Sequence, residues 1–243
     1  NEINLRIGKQ QVIWGRTDLF RVLDVINPVY YSRQNIYDEL EDIRIPMWIL
    51  KADFRFGATG PFDDFNFQLV WNFDKFRPNN LGQCGSPYVI LDAGCFFRGM
   101  KNLWDNGGTV ANFAPFDVTG ATPGLLATNF GPQTIGIRDI DLPSWSLSNS
   151  QVGMKLEGVI GDWGWSVNAM TYRSQLPSLR AGHIPIVHPF TGAPAQTYDH
   201  LIAFDIAFPR VNLIGGSVDY YSQAIDTVIR IEVAATQGEE FAN

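Results

Sequence analysis

Charged side chains are scarce in this chain of 243 residues: they make up 18% of it, and an acidic excess gives a net charge of −7. Proteins that bind nucleic acid need a basic stripe to neutralise phosphates, so the charge balance argues against that class. Long hydrophobic runs are also missing, because none approaches the roughly 18–20 apolar residues of a membrane-spanning helix. Any residence in a membrane must therefore rest on the strands of a β-barrel.

Cysteine is nearly absent as well, and the two cysteines, Cys84 and Cys95, lie in a stretch rich in Gly, Pro and Asn. A disulfide between them would close an exposed loop in an oxidising compartment, such as the periplasm or the cell surface. Two free thiols in a reducing compartment are the alternative. A metal site is not expected, because metals normally need more ligands than two isolated cysteines. We predict the disulfide.

Recognisable catalytic motifs are lacking too. His183, His188 and His200 have no Glu or Asp at the spacing of a known zinc motif, so we expect loop histidines and no bound metal. The adjacent carboxylates Asp63 and Asp64 would point to opposite faces of a strand and could not easily share a substrate. Neither a nucleophile elbow nor a phosphate-binding or dinucleotide-binding glycine loop occurs. We therefore expect no enzyme activity and no cofactor.

The chain is rich instead in glycine (23), proline (14) and aromatic residues (13%), and it alternates apolar and polar side chains with period two. Residues 48–56 show the alternation most clearly. Their two faces would carry apolar Trp48, Leu50, Ala52, Phe54 and Phe56 on one side, and Lys51, Asp53 and Arg55 on the other. A helix would scatter these charges around its circumference, so the pattern predicts a strand. Tilted strands of roughly 9–11 residues cross the hydrocarbon core of a bilayer.

Eight such strands predict an all-β fold, an antiparallel up-and-down transmembrane β-barrel that forms one domain over residues 1–243. The expected strands are 2–14, 47–57, 63–74, 150–160, 165–174, 200–208, 211–222 and 226–236. Three long loops, 15–46, 75–149 and 175–199, would fall on one side of the sheet. The remaining connections are short, and only one of them falls on the long-loop side. Outer-membrane barrels have this arrangement, with long extracellular loops and short periplasmic turns.

The polar faces of these strands predict a lumen, since a Lys or Arg facing lipid near the midplane would cost about 2–4 kcal/mol. The residues expected to face the lumen are Lys51, Asp53, Arg55, Asn66, Gln68, Asp74, Lys155, Glu157, Asp205, Asp219, Arg230 and Glu232. Both signs of charge are present. The side chains could therefore pair with one another to hold the lumen as well as select a substrate.

Aromatic rings near the expected strand ends predict contact with lipid headgroups, although rings could equally pack in the core of a β-sandwich. They are Trp48, Phe56, Trp71, Phe73, Trp163, Trp165, Tyr172, Tyr220 and Tyr221. Within the first long loop, Ile36, Leu40 and Ile43 recur at helical spacing. This predicts a short acidic helix over 34–43, either inside the lumen as a plug or across its mouth.

Several short motifs resemble a known family. Strand one leads through 6–10 into Trp14-Gly15, an Ile-Asn-Pro turn follows at 26–28, and Pro46 precedes strand two. The likeness continues at 83–85, 151–154, 172–177 and 229–232. These stretches resemble the Gram-negative outer-membrane family catalogued as domain of unknown function 1302. The resemblance implies a channel-like or substrate-passing barrel in the bacterial outer membrane. It also implies, as partners, membrane lipids, a periplasmic lipid-binding protein and an inner-membrane exporter.

The sequence thus predicts an outer-membrane β-barrel that serves as a porin-like passage for a small or lipid-like hydrophobic compound. A secreted or periplasmic β-sandwich that binds carbohydrate or protein through its loops is the alternative from another class. A structural scaffold in the outer membrane is the third. Because the chain opens inside an alternating strand and family members are longer, we expect it to be a fragment of a longer protein.

Overall fold

The structure is a computed structural model that describes residues 2–16, 21–31, 40–81, 93–109, 129–182 and 202–240. Strands dominate these ranges. The ten strands are β1 (Glu2–Gln10), β2 (Met47–Arg55), β3 (Asp64–Asn72), β4 (Ile135–Asp141), β5 (Gln151–Ile160), β6 (Trp163–Arg173), β7 (Ser178–Gly182), β8 (Ile202–Ala207), β9 (Arg210–Ser222) and β10 (Thr227–Gln237). The α-helices are α1 (Leu40–Ile43) and α2 (Ala93–Asn106), and a 3-10 turn covers Leu147–Asn149.

Seven strands form one antiparallel sheet in the order β1-β2-β3-β5-β6-β9-β10. All seven had been expected from the alternation, and the predicted all-β class is confirmed. The pairing runs without a register shift from β1 to β10. These two outer strands do not pair with each other in the described part of the chain, so the sheet is open.

The expected sixth strand, 200–208, does not belong to this sheet, and its placement there was wrong. It forms β8, which pairs parallel with β4 and antiparallel with β7 in a separate three-stranded sheet. Its alternating apolar residues, such as Phe204 and Ile206, pack in the small core beside this sheet. Alternation reports that a strand is half-buried and does not report which sheet buries it.

The long regions 75–149 and 175–199, expected as loops, contain part of this second unit. Helix α2 and strand β4 lie within the first region, and β7 lies within the second. The helix packs on β4 through Met100, which is buried with Ile137 and Phe208. Gly136 permits the close approach, because its φ is +135° and a Cβ there would lie 2.2 Å from the Met100 carbonyl oxygen.

The segment that follows β1, residues 11–16, crosses one face of the large sheet, and we call it the strap. The backbone N–H of Arg16 donates to the carboxylate of Glu232 on β10. In a flat sheet β1 and β10 would lie about 29 Å apart, at roughly 4.8 Å per strand. Residues 11–16 span at most about 22 Å when fully extended. The sheet is therefore curved, and its concave side, here called the inner face, is the one that the strap crosses.

Candidate functional site

The inner face is apolar toward the long-loop end of the strands. Trp14 of the strap is 1% exposed and packs there against buried side chains of four strands. The core residues on those strands are Met47, Ile49, Val70, Met170, Tyr172, Val211 and Leu213. Val12, Leu23 and Ile26 complete this core from the segment after β1. The strap is therefore anchored by burial at its Trp14 end.

Toward the short-turn end the same face is polar, and the strand register arranges its side chains in rows. One row runs through Arg55, Asn66, Glu157, Ser166, Ser217 and Glu232. The next row toward the long loops runs through Asp53, Gln68, Lys155, Asn168 and Gly215. Because paired residues in an antiparallel sheet share a face, the two rows form a polar band across the curved sheet.

Hydrogen bonds form within each row and between one row and the strap. Gln68 donates through Nε2 to Oδ1 of Asp53 at 2.6 Å, and its Oε1 accepts from Nε1 of Trp14 at 2.5 Å. The hydroxyls of Ser166 and Ser217 lie 2.8 Å apart in a buried pair. Part of the polar band is thus tied together by side-chain hydrogen bonds, and the strap is bonded to it through Trp14.

Arg16, at the far end of the strap, contacts three carboxylates that belong to three different strands. Its guanidinium pairs with Asp219 of β9 and lies 3.5 Å from Glu157 of β5, while its backbone N–H donates to Glu232 of β10. Glu157 also pairs with Lys155 at 2.7 Å. The side chains of Arg16 and Glu157 remain 31% and 29% exposed. This end of the strap is held by partly solvated ion pairs.

Two glycines leave room for the strap on the sheet. A Cβ at Gly153 would lie 2.6 Å from the ring of Trp14, and a Cβ at Gly164 would lie 3.3 Å from Nη1 of Arg16. Side chains at these inward positions would lift the strap off the inner face. Glycine therefore sets how closely the strap approaches the strands.

Ten of the twelve residues expected to face a lumen lie on the inner face of the large sheet: Lys51, Asp53, Arg55, Asn66, Gln68, Lys155, Glu157, Asp219, Arg230 and Glu232. The structure does not bring Asp74 and Asp205 to these rows. Asp74 lies beyond β3 and accepts a hydrogen bond from the backbone N–H of Trp48 at 3.1 Å. Asp205 lies on β8 in the small sheet, where Nε of Arg138 donates to it at 2.9 Å.

Sequence reasoning missed several residues of the polar band and its strap. Ser166 and Asn168 alternate with Trp165 and Val167 on β6, so the same period-two pattern could have found them. The expected strand 2–14 was too long, because β1 ends at Gln10 and Trp14 lies in the strap. The Trp14-Gly15 motif did not indicate this position over the sheet, and no pattern pointed to Arg16. The positions of Trp14 and Arg16 depend on contacts with strands far along the chain.

The outer face of the large sheet is apolar and exposed. Large side chains such as Ile7, Ile214 and Val233 are 65–70% exposed there. Within the seven strands the charged residues that point outward are Lys9, Arg173 and Arg210, all at the long-loop ends. From Trp163 to Thr171, β6 rises about 26 Å, and the seven strands lie side by side at roughly 4.8 Å per strand. The charge-free part of the outer face therefore covers roughly 900 Å². Monomeric soluble proteins rarely expose apolar patches beyond a few hundred Å².

Aromatic rings lie near both ends of this outer face. At the short-turn end, Trp163 stacks on Tyr220 with centroids 4.3 Å apart. At the long-loop end, Trp71 contacts Phe73 at 5.3 Å and donates through Nε1 to the hydroxyl of Ser150. The prediction of an outward position was wrong for two rings, because Tyr172 points inward and is only 7% exposed in the core, and Tyr221 follows Asp219 on the inner-face side of β9.

Other predicted features fall partly outside the described residues. The three histidines and Cys84 lie there, so the disulfide and the loop histidines stay predictions. Of the expected helix 34–43, the described part contains the turn Leu40–Ile43. No group of three or more potential metal ligands occurs among the residues the structure describes. Across those same residues, no helix is both long and apolar enough to span a bilayer.

In the small sheet, surface ion pairs shift two groups from their ordinary titration range. A hydrogen bond from Arg180 lowers the pKa of Glu240, which also accepts a hydrogen bond from Ser178 at 2.9 Å. A hydrogen bond to Asp205 raises the pKa of Arg138. Glu240 thereby ties the segment after β10 to β7, beyond the long-loop end of the large sheet.

The fold and its two faces define an all-β protein with a curved antiparallel sheet. Its outer face is apolar, with charge only at the long-loop ends, and its inner face is polar toward the short-turn end. The chain belongs to the family described as "Protein of unknown function (DUF1302)", whose model matches residues 1–243. No curated protein and no solved structure matches the chain.

Proposed function

We propose that this protein forms a transmembrane β-barrel in a bacterial outer membrane and that its interior is a passage for a small or lipid-like compound. The outer face of the seven strands, which carries charge only at the long-loop ends, supports the proposal most directly. Water exposure of roughly 900 Å² of apolar surface would cost about 20 kcal/mol at 25 cal/mol per Å². Contact with lipid removes this cost, and tryptophans at both ends suit the headgroup regions.

The open edges of the sheet add a second requirement. Unpaired backbone groups of β1 and β10 cannot face hydrocarbon, because each would lack a hydrogen-bond partner there. In a membrane these strands must pair with further strands and so close a barrel. Barrels with water-filled channels have about 16–18 strands, well above the seven of this sheet.

The polar band supports the passage. In a closed barrel it would line the interior, where charged side chains of both signs avoid lipid. The sandwich alternative would instead place a second sheet over the outer face. The small sheet does not do this in the described part of the chain, since each of the seven strands keeps exposed side chains on its outer face and none of the outward side chains is buried.

Membrane extraction tests the location. The full-length protein, exported in a Gram-negative host, should stay in outer-membrane fractions through alkaline carbonate washing and dissolve only in detergent. Release by carbonate would overturn the barrel proposal. A peripheral protein of the same cells, released by the same wash, serves as the control.

Reconstitution tests the passage. Purified full-length protein in planar bilayers should conduct small ions or, in vesicles, admit small solutes. A protein that inserts but shows neither conductance nor flux would contradict the passage and favour a structural scaffold.

A further inference from the structure

We infer that Arg16 acts as a latch across the interior: its ion pairs to Glu157 and Asp219 and its backbone hydrogen bond to Glu232 hold the end of the strap over the polar band, and their release widens the passage. The inference rests on the proposed function, since it assigns a gating device to that same passage. It begins from the way the two ends of the strap are held.

One end of the strap is fixed by burial. Val12 and Trp14 are 3% and 1% exposed, and the backbone N–H of Val12 donates to Oδ1 of Asn27 at 2.8 Å in a buried hydrogen bond. Nε1 of Trp14 is held by Gln68. Moving this end would expose a large aromatic side chain, which costs about 3–5 kcal/mol in typical truncations. It is therefore the stationary end.

The other end is held by charge and remains partly in solvent. The Arg16 guanidinium has two carboxylate partners, and the Arg16 side chain is 31% exposed. The backbone carbonyl oxygen of Arg16 accepts a hydrogen bond from Nη1 of Arg230 at 3.3 Å. Partly exposed ion pairs contribute little each and weaken with salt. The strap thus combines a fixed anchor with a fastening that can open and close.

The latch lies where it can matter for passage. Its three carboxylate partners belong to β5, β9 and β10, so Arg16 bridges strands that span the second half of the concave face. Three carboxylates there face three cations, Arg16, Lys155 and Arg230. When Arg16 leaves, an excess of one negative charge and additional open space remain beside the polar rows.

Two substitutions of opposite charge test the latch. Arg16→Gln and Asp219→Asn both remove the ion pair between Arg16 and Asp219. The first substitution removes a positive charge from the interior, and the second removes a negative one. The latch predicts higher single-channel conductance for both variants. Altered charge alone predicts opposite changes in cation selectivity with no common rise in conductance. Arg55→Gln is the matched control, since Arg55 lies in the row of Glu157 and its loss changes the interior charge as Arg16→Gln does.

Hydrogen exchange measures the strap independently of passage. In both variants the Arg16 amide should exchange about fivefold faster, as expected from the loss of about 1 kcal/mol of ion pairing. The Val12 amide in the same peptide should keep its protection, because its partner Asn27 is buried. Uniformly faster exchange would indicate general destabilisation and would overturn the latch.

The two readouts separate the failures. If the Arg16 amide exchanges faster in both variants but their conductance equals that of the wild type, the latch is refuted and the passage is not. Unchanged exchange in both variants would also refute it. Absence of conductance in the wild type and in both loosened variants would refute the passage itself, and the latch with it.

Discussion

A single charge placed on the outer face distinguishes a surface in lipid from a surface in water. Val167 lies near the centre of β6, between Leu156 and Gly216 in the register, and is 51% exposed. Val152 is also 51% exposed, but it pairs with Trp71 near the long-loop end. The two valines therefore match in residue type and exposure and differ in their distance from the aromatic ring at the strand end.

Arg at these two positions should have very different costs if the outer face contacts lipid. An Arg near the bilayer midplane costs about 2–4 kcal/mol, and one near the interface about 0–1 kcal/mol. Val167→Arg should thus lower the free energy of unfolding by at least about 1 kcal/mol more than Val152→Arg does. On a water-exposed strand both changes should stay within about 0.5 kcal/mol.

Reversible urea unfolding of the full-length protein in phosphatidylcholine vesicles, followed by tryptophan fluorescence, measures the difference. Val167→Asn and Val152→Asn control for the loss of the apolar side chain without the charge. Equal, small effects of Arg at both positions would show that depth does not matter and would refute the lipid contact. A larger effect of Arg at Val152 than at Val167 would contradict the placement of the aromatic strand ends in the headgroup regions.

The remaining predictions concern parts of the chain outside the polar band. Arg44→Met should lower the free energy of unfolding by about 3–5 kcal/mol, because it removes a partner of the buried Asp24 at 2.8 Å. The remaining contact of Asp24 with Arg21 at 3.3 Å favours the lower value. An unchanged midpoint of urea unfolding would contradict the pairing. The tie between Glu240 and Arg180 should hold above the ordinary glutamate pKa of 4.5 and weaken as the pH falls from there through the lowered pKa. Hydrogen exchange in β7 should become faster on acidification as this contact is lost. In Glu240→Gln it should already be faster at neutral pH. If neither change affects the exchange rate, Glu240 does not tie the segment after β10 to β7.

The strands of the large sheet could be predicted from sequence because their alternation is a local property of the chain. The expected ranges 47–57 and 63–74 fall within two residues of β2 and β3 at both ends. The assignment of β8 failed since its alternation satisfies either sheet equally well. Helix α2 went unrecognised because Gly94 and Gly99 and its glycine-rich surroundings favour a loop. Packing of Met100 against the small sheet overrides that preference.

The polar rows could also be predicted, since inward polar residues alternate with outward apolar ones. The strap could not, because Arg16 finds its partners more than a hundred residues away along the chain. The glycines that leave room for the strap could not be predicted either. In the sequence Gly153 looks like any strand glycine, and only the structure places the ring of Trp14 above it. Long-range closeness of this kind leaves no periodic trace in the sequence.

Removal of β8 from the large sheet sharpens the argument from loop lengths. The connections between successive strands of that sheet are now 11–46, 56–63, 73–150, 161–162, 174–209 and 223–226, so long and short alternate without exception. Every long connection begins and ends at one end of the sheet, where the small sheet also packs, and every short turn joins strands at the other. In an outer membrane the long-loop end would face outward. The strap begins at that end, so a solute entering from outside would meet the anchored, apolar half of the inner face before it reached Arg16 and the polar band.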